Sequence, residues 1–193
     1  MRMLTVRSNV FETNSSSTHS IAIPKNCEAN NFIAFHIGEF SWSWEVVDPA
    51  DYFYTAVYET SDTEKELEDK LDKLSKILDS HGISYKFYPV KYHTSMYNGT
   101  YYLSLDDGYI DHGSELTDFV DELLNDEEKL VRFLSGGLVF TGNDNSDTEE
   151  RCFINRDSEY LDDYNYDTHT AFKIKNPYYM EDHNDYDWYW KGN

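Results

Sequence analysis

The chain has 193 residues, 37 acidic against 16 basic side chains, and a formal net charge of −21 at pH 7. This charge excludes the broad basic face that holds free nucleic acid, and it excludes binding to anionic membrane surfaces. Aromatic residues make up 17% of the sequence, so the chain has enough apolar surface for a core and wholesale disorder is not expected. The length fits one ordinary domain.

Targeting signals are absent from the sequence pattern. No apolar run approaches the roughly 20 residues of a membrane span, and the N-terminus lacks the apolar stretch of a signal peptide. Cys27 and Cys152 are far apart in the sequence, and without a secretion signal we expect reduced thiols rather than a disulfide. A cytoplasmic protein with no membrane partner is predicted.

The negative charge is distributed unevenly along the chain. Residues 1–41 carry three acidic and three basic side chains, whereas residues 42–141 and 142–193 are both strongly acidic. The N-terminal segment is therefore the one neutral part of the sequence.

The N-terminal segment is predicted to be mostly extended. Alternating apolar residues indicate strands at 3–8, 20–24 and 31–37, and alternating aromatic residues indicate an extended segment at 38–44. Residues 11–20 (FETNSSSTHS) are too polar for a buried strand and are predicted to form a loop or tight turn between the first two strands.

Two helices and a strand are predicted next. Asp48 followed by Pro49 is typical of a helix start, and the spacing of Phe53, Ala56 and Val57 is helical. In the second helix, within 61–82, Ser61 or Asp62 is the expected cap and Gly82 ends the helix. Its apolar stripe consists of Leu67, Leu71, Leu74 and Leu78. Residues 83–90 alternate as a strand.

The remaining elements complete a mixed fold. Short extended pieces flank a turn at Asp107–Gly108, helices are predicted at 114–124 (opened by a capping box at Ser114) and 126–137, and a buried strand at 137–142. Weaker strand signals lie at 151–155 and 171–175. We predict a single mixed α+β domain over residues 1–156, with a central mostly antiparallel sheet and three or four helices. Residues 157–193 form an acidic, aromatic segment packed on this domain or extending from it.

The segment from Arg7 to Ser20 is the strongest candidate site. A phosphate site needs a positive charge and hydrogen-bond donors, and transfer chemistry adds a group that titrates near neutral pH. Within this segment the matching side chains are Arg7 (anion clamp), Glu12 (carboxylate), Asn14, Ser15, Ser16 and Ser17 (donors) and His19 (imidazole). An ordinary Ser/Thr-rich turn, with hydroxyls bonded to their own backbone, is the open alternative.

Two other segments are weaker candidates. Residues 106–113 contain three carboxylates and His112 near a turn, but no spacing there matches a zinc or EF-hand pattern. Residues 141–145 directly follow the predicted buried strand, where site residues often lie, although the segment by itself favours a plain Asn/Asp/Gly turn. The tail motif DYDWYW (185–190) alternates acidic and aromatic residues. It could imitate a nucleic acid or contact a basic partner; the alternative is a terminus that packs against the domain.

The block VFETNSSSTHSI resembles the N-terminal signature of a family of mostly uncharacterised phage, mobile-element and Firmicutes proteins. Segments similar to GEFSW (38–42), GYIDHGS (108–114) and the Gly-Asn-Asp-Asn turn (142–145) also recur in that family. The resemblance covers roughly the first 45 residues and these short islands, and it extends to Cas9-directed anti-CRISPR proteins, some of which damage or displace the guide RNA.

The resemblance implies a site assembled from distant parts of the sequence. Arg7, Glu12, Asn14, Ser16, Ser17 and His19 would be joined there by Asp111, His112 and Asp144. Metal-independent RNA cleavage, with no cofactor, would need His19 or His112 to take the 2′-hydroxyl proton, while Arg7 and the loop donors stabilise the phosphorane charge.

The expected function is therefore phage-type anti-CRISPR inhibition of an RNA-guided nuclease (Cas9), by acting on or displacing its guide RNA. The expected partners are a basic, Cas9-like RNA-binding effector and its guide RNA in the host cytoplasm, because a strongly acidic protein repels free RNA and attracts a basic protein. The alternatives are a non-enzymatic acidic nucleic-acid mimic, and an intracellular enzyme acting on a small phosphorylated ligand.

Overall fold

The computed structural model describes residues 17–41, 43, 45–97, 100–111, 116–143, 159–165, 168–175 and 185–191. Helices in this part are α1 (Pro49–Glu59), α2 (Glu64–Ser80), α3 (Leu116–Asn125) and α4 (Glu127–Gly136). The strands are β1 (Ser17–Pro24), β2 (Phe32–Phe35), β3 (Glu39–Phe40), β4 (Glu45–Val47), β5 (Ser84–Phe87), β6 (Tyr92–Tyr97), β7 (Thr100–Leu105), β8 (Tyr109–Ile110), β9 (Leu138–Asn143), β10 (Tyr160–Asn165), β11 (Thr170–Lys175) and β12 (Tyr186–Lys191).

The largest sheet has the strand order β12-β1-β9-β4 and is antiparallel throughout. Parallel pairing joins β2 to β5 and β3 to β8, and antiparallel pairing joins β6 to β7 and β10 to β11. The predicted α+β class with a mainly antiparallel sheet is confirmed.

Helix α1 lies at the centre of the core. Eight of its residues are buried, and it contacts strands as well as the other three helices. It starts as predicted, because the Asp48 side chain accepts hydrogen bonds from the N–H groups of Ala50 and Asp51, and Pro49 follows the cap.

The apolar stripe of α2 is confirmed, since Leu67, Leu74 and Leu78 are buried. The predicted cap is wrong by one or two residues: Thr63 caps the helix and accepts a hydrogen bond from the Glu66 N–H. Ser61 is instead used by the preceding helix, where its Oγ donates to the Val57 carbonyl at 2.7 Å.

Helices α3 and α4 are confirmed as predicted, with buried faces formed by Leu and Val together with Phe133. Asp126 caps α4, and Gly137 ends it by donating its N–H to the Phe133 carbonyl. Ser114, proposed as a capping residue, lies outside the described residues, as do the predicted strands at 3–8 and 151–155.

Several strand assignments differ from the sequence expectations. Residues 17–20 were expected in a polar loop but belong to β1, because backbone pairing with β9 satisfies their amide groups, and His19 and Ser20 pair with β12 as well. The tail motif at 185–190 lies almost entirely in β12, at the edge of the main sheet. The β6–β7 hairpin and β4 were predicted incompletely, since β6 and β4 lack a strong apolar alternation.

No helix in the described ranges combines the length and the apolar character that crossing a membrane requires.

Candidate functional site

His19 lies in the middle of the main sheet, on the side packed against α1. Its side chain is 0% exposed, and its Nδ1 shares a hydrogen bond of 2.9 Å with Tyr52 Oη. The two rings meet edge-on, with centroids 5.6 Å apart. In β1, every second side chain points to the same face, so His19 projects to the core side together with Ser17, Ile21 and Ile23.

Tyr52 is fully buried on α1. Burial raises the pKa of its phenol well above the usual range, and the nearby Glu59 carboxylate raises it further. The phenol therefore stays protonated, and its hydroxyl forms a hydrogen bond between the central helix and the sheet. Such a pair can fix the orientation and tautomer of the imidazole.

The start of β1 is a meeting point of the three candidate segments. Ser17 Oγ donates to the Asp111 carbonyl at 3.2 Å, which connects the first segment to the second. In the register of the sheet, Ser17 is opposite Asn143 and His19 is opposite Thr141, which connects the first segment to the third. Thr141 Oγ1 in turn donates to the Ser43 carbonyl at 2.6 Å.

The opposite face of the sheet carries a second, smaller apolar cluster. Ala22 and Phe140 are buried there, with Leu138 and Tyr186 packed against them. Ser20 points to this face, and its Oγ is buried without a hydrogen-bond partner among the described residues.

The structure brings together three of the predicted site residues, Ser17, His19 and Asp111, although Asp111 takes part through its backbone carbonyl. The other predicted residues lie outside the described residues: Arg7, Glu12, Asn14, Ser16, His112 and Asp144. His19 was expected in a loop, so its burial in a strand changes the chemistry open to it. A substrate reaches this imidazole only if the packing around β1 opens.

Sequence reasoning missed Tyr52. The residue occurs in an aromatic run of α1 (Tyr52, Phe53, Tyr54), where nothing distinguishes one tyrosine from the next. Only the packing of α1 on β1 selects it as the partner of His19.

A groove of about 370 Å³ lies between α2 and α3, on another part of the surface. The charged side chains that line it are Lys65, Glu66, Asp69, Lys70, Lys73 and Asp121. Lys70 binds Glu66 and Lys65 binds Asp69, so the groove has no excess of positive charge for an anion. In the described part of the chain, no three His, Cys, Asp or Glu side chains converge as metal ligands would.

The corner formed by α3 and α4 is strongly acidic. Its carboxylates are all exposed, and we call this set the acidic corner: Asp118, Asp121, Glu122, Asp126, Glu127 and Glu128. The two basic residues of these helices are already engaged. Lys129 pairs with Glu122, and the Arg132 guanidinium donates to the carbonyls of Pro24 and Lys25.

No family model, curated protein or solved structure matches this chain.

Proposed function

We propose that this protein is an inhibitor of an RNA-guided nuclease and that it docks on the basic surface of the effector through the acidic corner. The acidic corner is the observation that carries the proposal. Six exposed carboxylates lie on these two neighbouring helices, which carry only two basic side chains, and a surface that competes with nucleic acid for basic side chains requires such an excess of negative charge. The kind of effector, a Cas9-like protein carrying guide RNA, comes from the sequence resemblance.

The chemistry of the site favours docking over an enzyme acting on a small phosphorylated ligand. The imidazole of His19 is buried and bonded to Tyr52, and the groove between α2 and α3 has balanced charges. Neither feature provides an accessible cationic phosphate site.

The docking proposal is tested by measuring association with a guide-loaded Cas9-type effector at several salt concentrations. We expect the triple variant Asp121→Asn, Glu127→Gln, Glu128→Gln to associate about tenfold more slowly, with a weaker salt dependence. The matched control is Glu28→Gln, Glu68→Gln, Asp72→Asn, which changes net charge equally at exposed positions elsewhere. Equal slowing in both variants, or no association by the wild-type protein, would contradict docking through this corner.

Partner-dependent RNA cleavage is the second candidate function, and the convergence of Ser17, His19 and Asp111 supports it. In this version the effector presents its guide RNA to the start of β1, and opening of the local packing exposes the imidazole as a general base. The phosphate contacts in this proposal are those that the sequence predicts, from Arg7 and the polar side chains of residues 12–16.

Labelled guide RNA, incubated with the protein in the presence and absence of effector, separates the two functions. Cleavage is supported if the wild-type protein shortens the RNA and the His19→Gln variant does not. Displacement alone is supported if the RNA stays intact but is released from the complex. Tyr52→Phe is the companion variant, because it keeps the imidazole but removes its phenol partner. Cleavage that survives His19→Gln would rule out the imidazole as the base.

A further inference from the structure

One face of the β2–β5 pair has a composition unlike the rest of the molecule. Both strands lie in stretches without acidic residues, 29–38 and 80–105, in a chain that has 37 acidic residues. The longer stretch contains Lys86 and Lys91 together with seven tyrosine and phenylalanine residues. This is the combination of aromatic rings and isolated positive charges that single-stranded nucleic acid binds.

The parallel register places the exposed aromatic and basic residues of these stretches on the same side. Phe32 is opposite Ser84 and Ala34 is opposite Lys86, while Ile33 and Phe35 point into the core. His36 and Tyr88, the residues that follow the two strands, continue the outer side. We call this side the ribbon face, and its members are Phe32, Ala34, His36, Ser84, Lys86 and Tyr88.

The rings on the ribbon face are accessible. Phe32 is 56% exposed and Tyr88 is 37% exposed, although both are large apolar side chains. Neighbouring groups hold Tyr88 in place. The His36 imidazole stacks on the Tyr88 ring with centroids 4.1 Å apart, and the Tyr88 backbone N–H donates to the Phe35 carbonyl. A fixed, exposed ring is what a stacking platform for a nucleobase requires.

Positive charge lies directly beside this platform. The Lys86 ammonium lies 4.1 Å above the centre of the Tyr88 ring, and neither Lys86 nor Lys91 forms an ion pair within the described residues. The Asp51 carboxylate contacts the platform at His36, where it accepts from the backbone N–H at 2.8 Å and bonds Nδ1 at 3.1 Å. That contact orients the imidazole and leaves both lysines available.

We propose that the ribbon face binds single-stranded nucleic acid, with bases stacked on Phe32 and Tyr88 and a phosphate on Lys86. An exposed cation–π contact is weak, so the Lys86 ammonium can leave the Tyr88 ring for a phosphate while a base takes its place. Every base has a flat π-face, so this recognition does not select sequence. The surface is small and local, and it differs from the broad basic face that the net charge excludes.

This inference does not depend on the docking proposal, because the acidic corner belongs to other elements. Combined with the proposed docking, it would give the protein two contacts with a ribonucleoprotein: carboxylates for the basic protein and aromatic rings for an exposed single strand.

The test is a fluorescence anisotropy titration of the full chain against labelled oligouridine of about ten nucleotides, the matching oligodeoxyuridine and a duplex. Salt near 0.15 M limits the Debye length to about 8 Å, which screens the distant carboxylates. We expect saturable binding of the single strands and weaker binding of the duplex. The RNA and DNA strands together show whether the 2′-hydroxyl contributes.

Variants then locate the binding site. Phe32→Ala and Tyr88→Ala should each weaken single-strand binding about tenfold, and Lys86→Gln should weaken it less while reducing its salt dependence. The controls are Tyr160→Ala, an exposed tyrosine on β10, and Lys76→Gln, an exposed lysine on α2; both should bind as the wild type does. Circular dichroism confirms that each variant is folded, and Phe32→Ala is the safest of them because Phe32 is the most exposed ring.

The proposal is overturned if neither single strand binds, if the control variants lose as much affinity as the ribbon-face variants, or if the duplex binds equally well. Binding of anionic lipid vesicles through Phe32 and Lys86, without binding of either single strand, would also overturn it.

Discussion

The contact between His19 and Tyr52 joins a polar residue of the central strand to the helix at the centre of the core. Both side chains are 0% exposed. An imidazole nitrogen taken out of water loses its hydration, and the phenol restores a hydrogen bond to it. The pair therefore fixes how α1 packs on β1.

Tyr52→Phe tests this role. Removing the hydroxyl leaves His19 Nδ1 buried without this partner, so the free energy of unfolding should fall by about 1–3 kcal/mol. Urea denaturation monitored by circular dichroism measures the change. Tyr92→Phe is the control, because Tyr92 is 37% exposed and its hydroxyl can be hydrated; its effect should be small. Equal stability of Tyr52→Phe and the wild type would show that the hydrogen bond contributes nothing net.

Substitutions at two glycines can separate the energetic cost of backbone strain from the cost of a steric clash. Gly82 and Gly108 have positive φ values of 68° and 83°. A Cβ at Gly82 would meet nothing within 4 Å, whereas one at Gly108 would lie 2.2 Å from Ile37 Cγ2 and 2.7 Å from the Gly38 carbonyl oxygen.

We expect Gly82→Ala to cost about 1 kcal/mol, the conformational penalty alone. Gly108→Ala should cost clearly more, since the β3–β8 contact must also move. Thermal unfolding of the two variants gives the comparison. The same loss in both would mean that the Gly108 turn relaxes without cost.

At the level of secondary structure, the short polar linker between α1 and α2 forms hydrogen bonds with both helices: Ser61 bonds to α1 and Thr63 caps α2. The Thr63 side chain accepts from the Glu66 N–H, while the Asp62 backbone N–H donates to the Glu66 carboxylate. Asp62 thus takes part through its backbone, and its side chain is not the cap.

Thr63→Ala should lower the free energy of unfolding by about 1 kcal/mol, the usual cost of losing a cap. Asp62→Ala should have little effect, because its N–H remains. Chemical denaturation of both variants measures the two changes in free energy of unfolding. A larger decrease for Asp62→Ala than for Thr63→Ala would show that Asp62 is the capping residue, as the sequence suggested.

Strand β12 closes one side of the main sheet. It pairs with β1 from His19 to Pro24, so it covers the backbone edge of the central strand. An uncovered strand of this kind exposes unpaired amides and promotes intermolecular pairing.

Deleting residues 185–193 should therefore lower the unfolding midpoint strongly and cause aggregation. Deleting only 192–193, which lie beyond the paired strand, should have little effect. Size-exclusion chromatography and thermal unfolding distinguish the two. A stable monomer after the longer deletion would show that β12 contributes little to the sheet.

At the scale of the whole molecule, the charge of −21 works against compactness and favours a basic partner. Self-repulsion among carboxylates destabilises the folded state at low ionic strength, and salt screens it. The fold places many of these carboxylates on the outer sides of the helices, while the ribbon face is assembled from the acid-free stretches.

Thermal unfolding should consequently shift upward when sodium chloride is raised from about 0.02 M to about 0.5 M. The triple variant of the acidic corner should show a smaller shift, because part of the repulsion is already gone. A melting temperature independent of salt would contradict a significant role for self-repulsion.

The class of fold and most of the helices could be predicted from local patterns in the sequence. The leucine spacing in α2 and the Asp48–Pro49 start of α1 are local signals. They predict the helices correctly because a helix is formed by local hydrogen bonds, a local cap and one apolar face. The uneven charge could also be predicted directly, because it depends only on the positions of the charged residues in the sequence.

Contacts between segments that are distant in sequence could be identified only from the tertiary structure. The polar residues Ser17, His19 and Ser20 are buried in β1 because strands more than a hundred residues away in sequence satisfy their backbone groups: β9 pairs with all three, and β12 pairs with His19 and Ser20. Tyr52 became the partner of His19, and Phe32 came to share a face with Lys86, through contacts between distant segments. Such contacts depend on strand pairing and helix packing, which a single stretch of sequence does not specify.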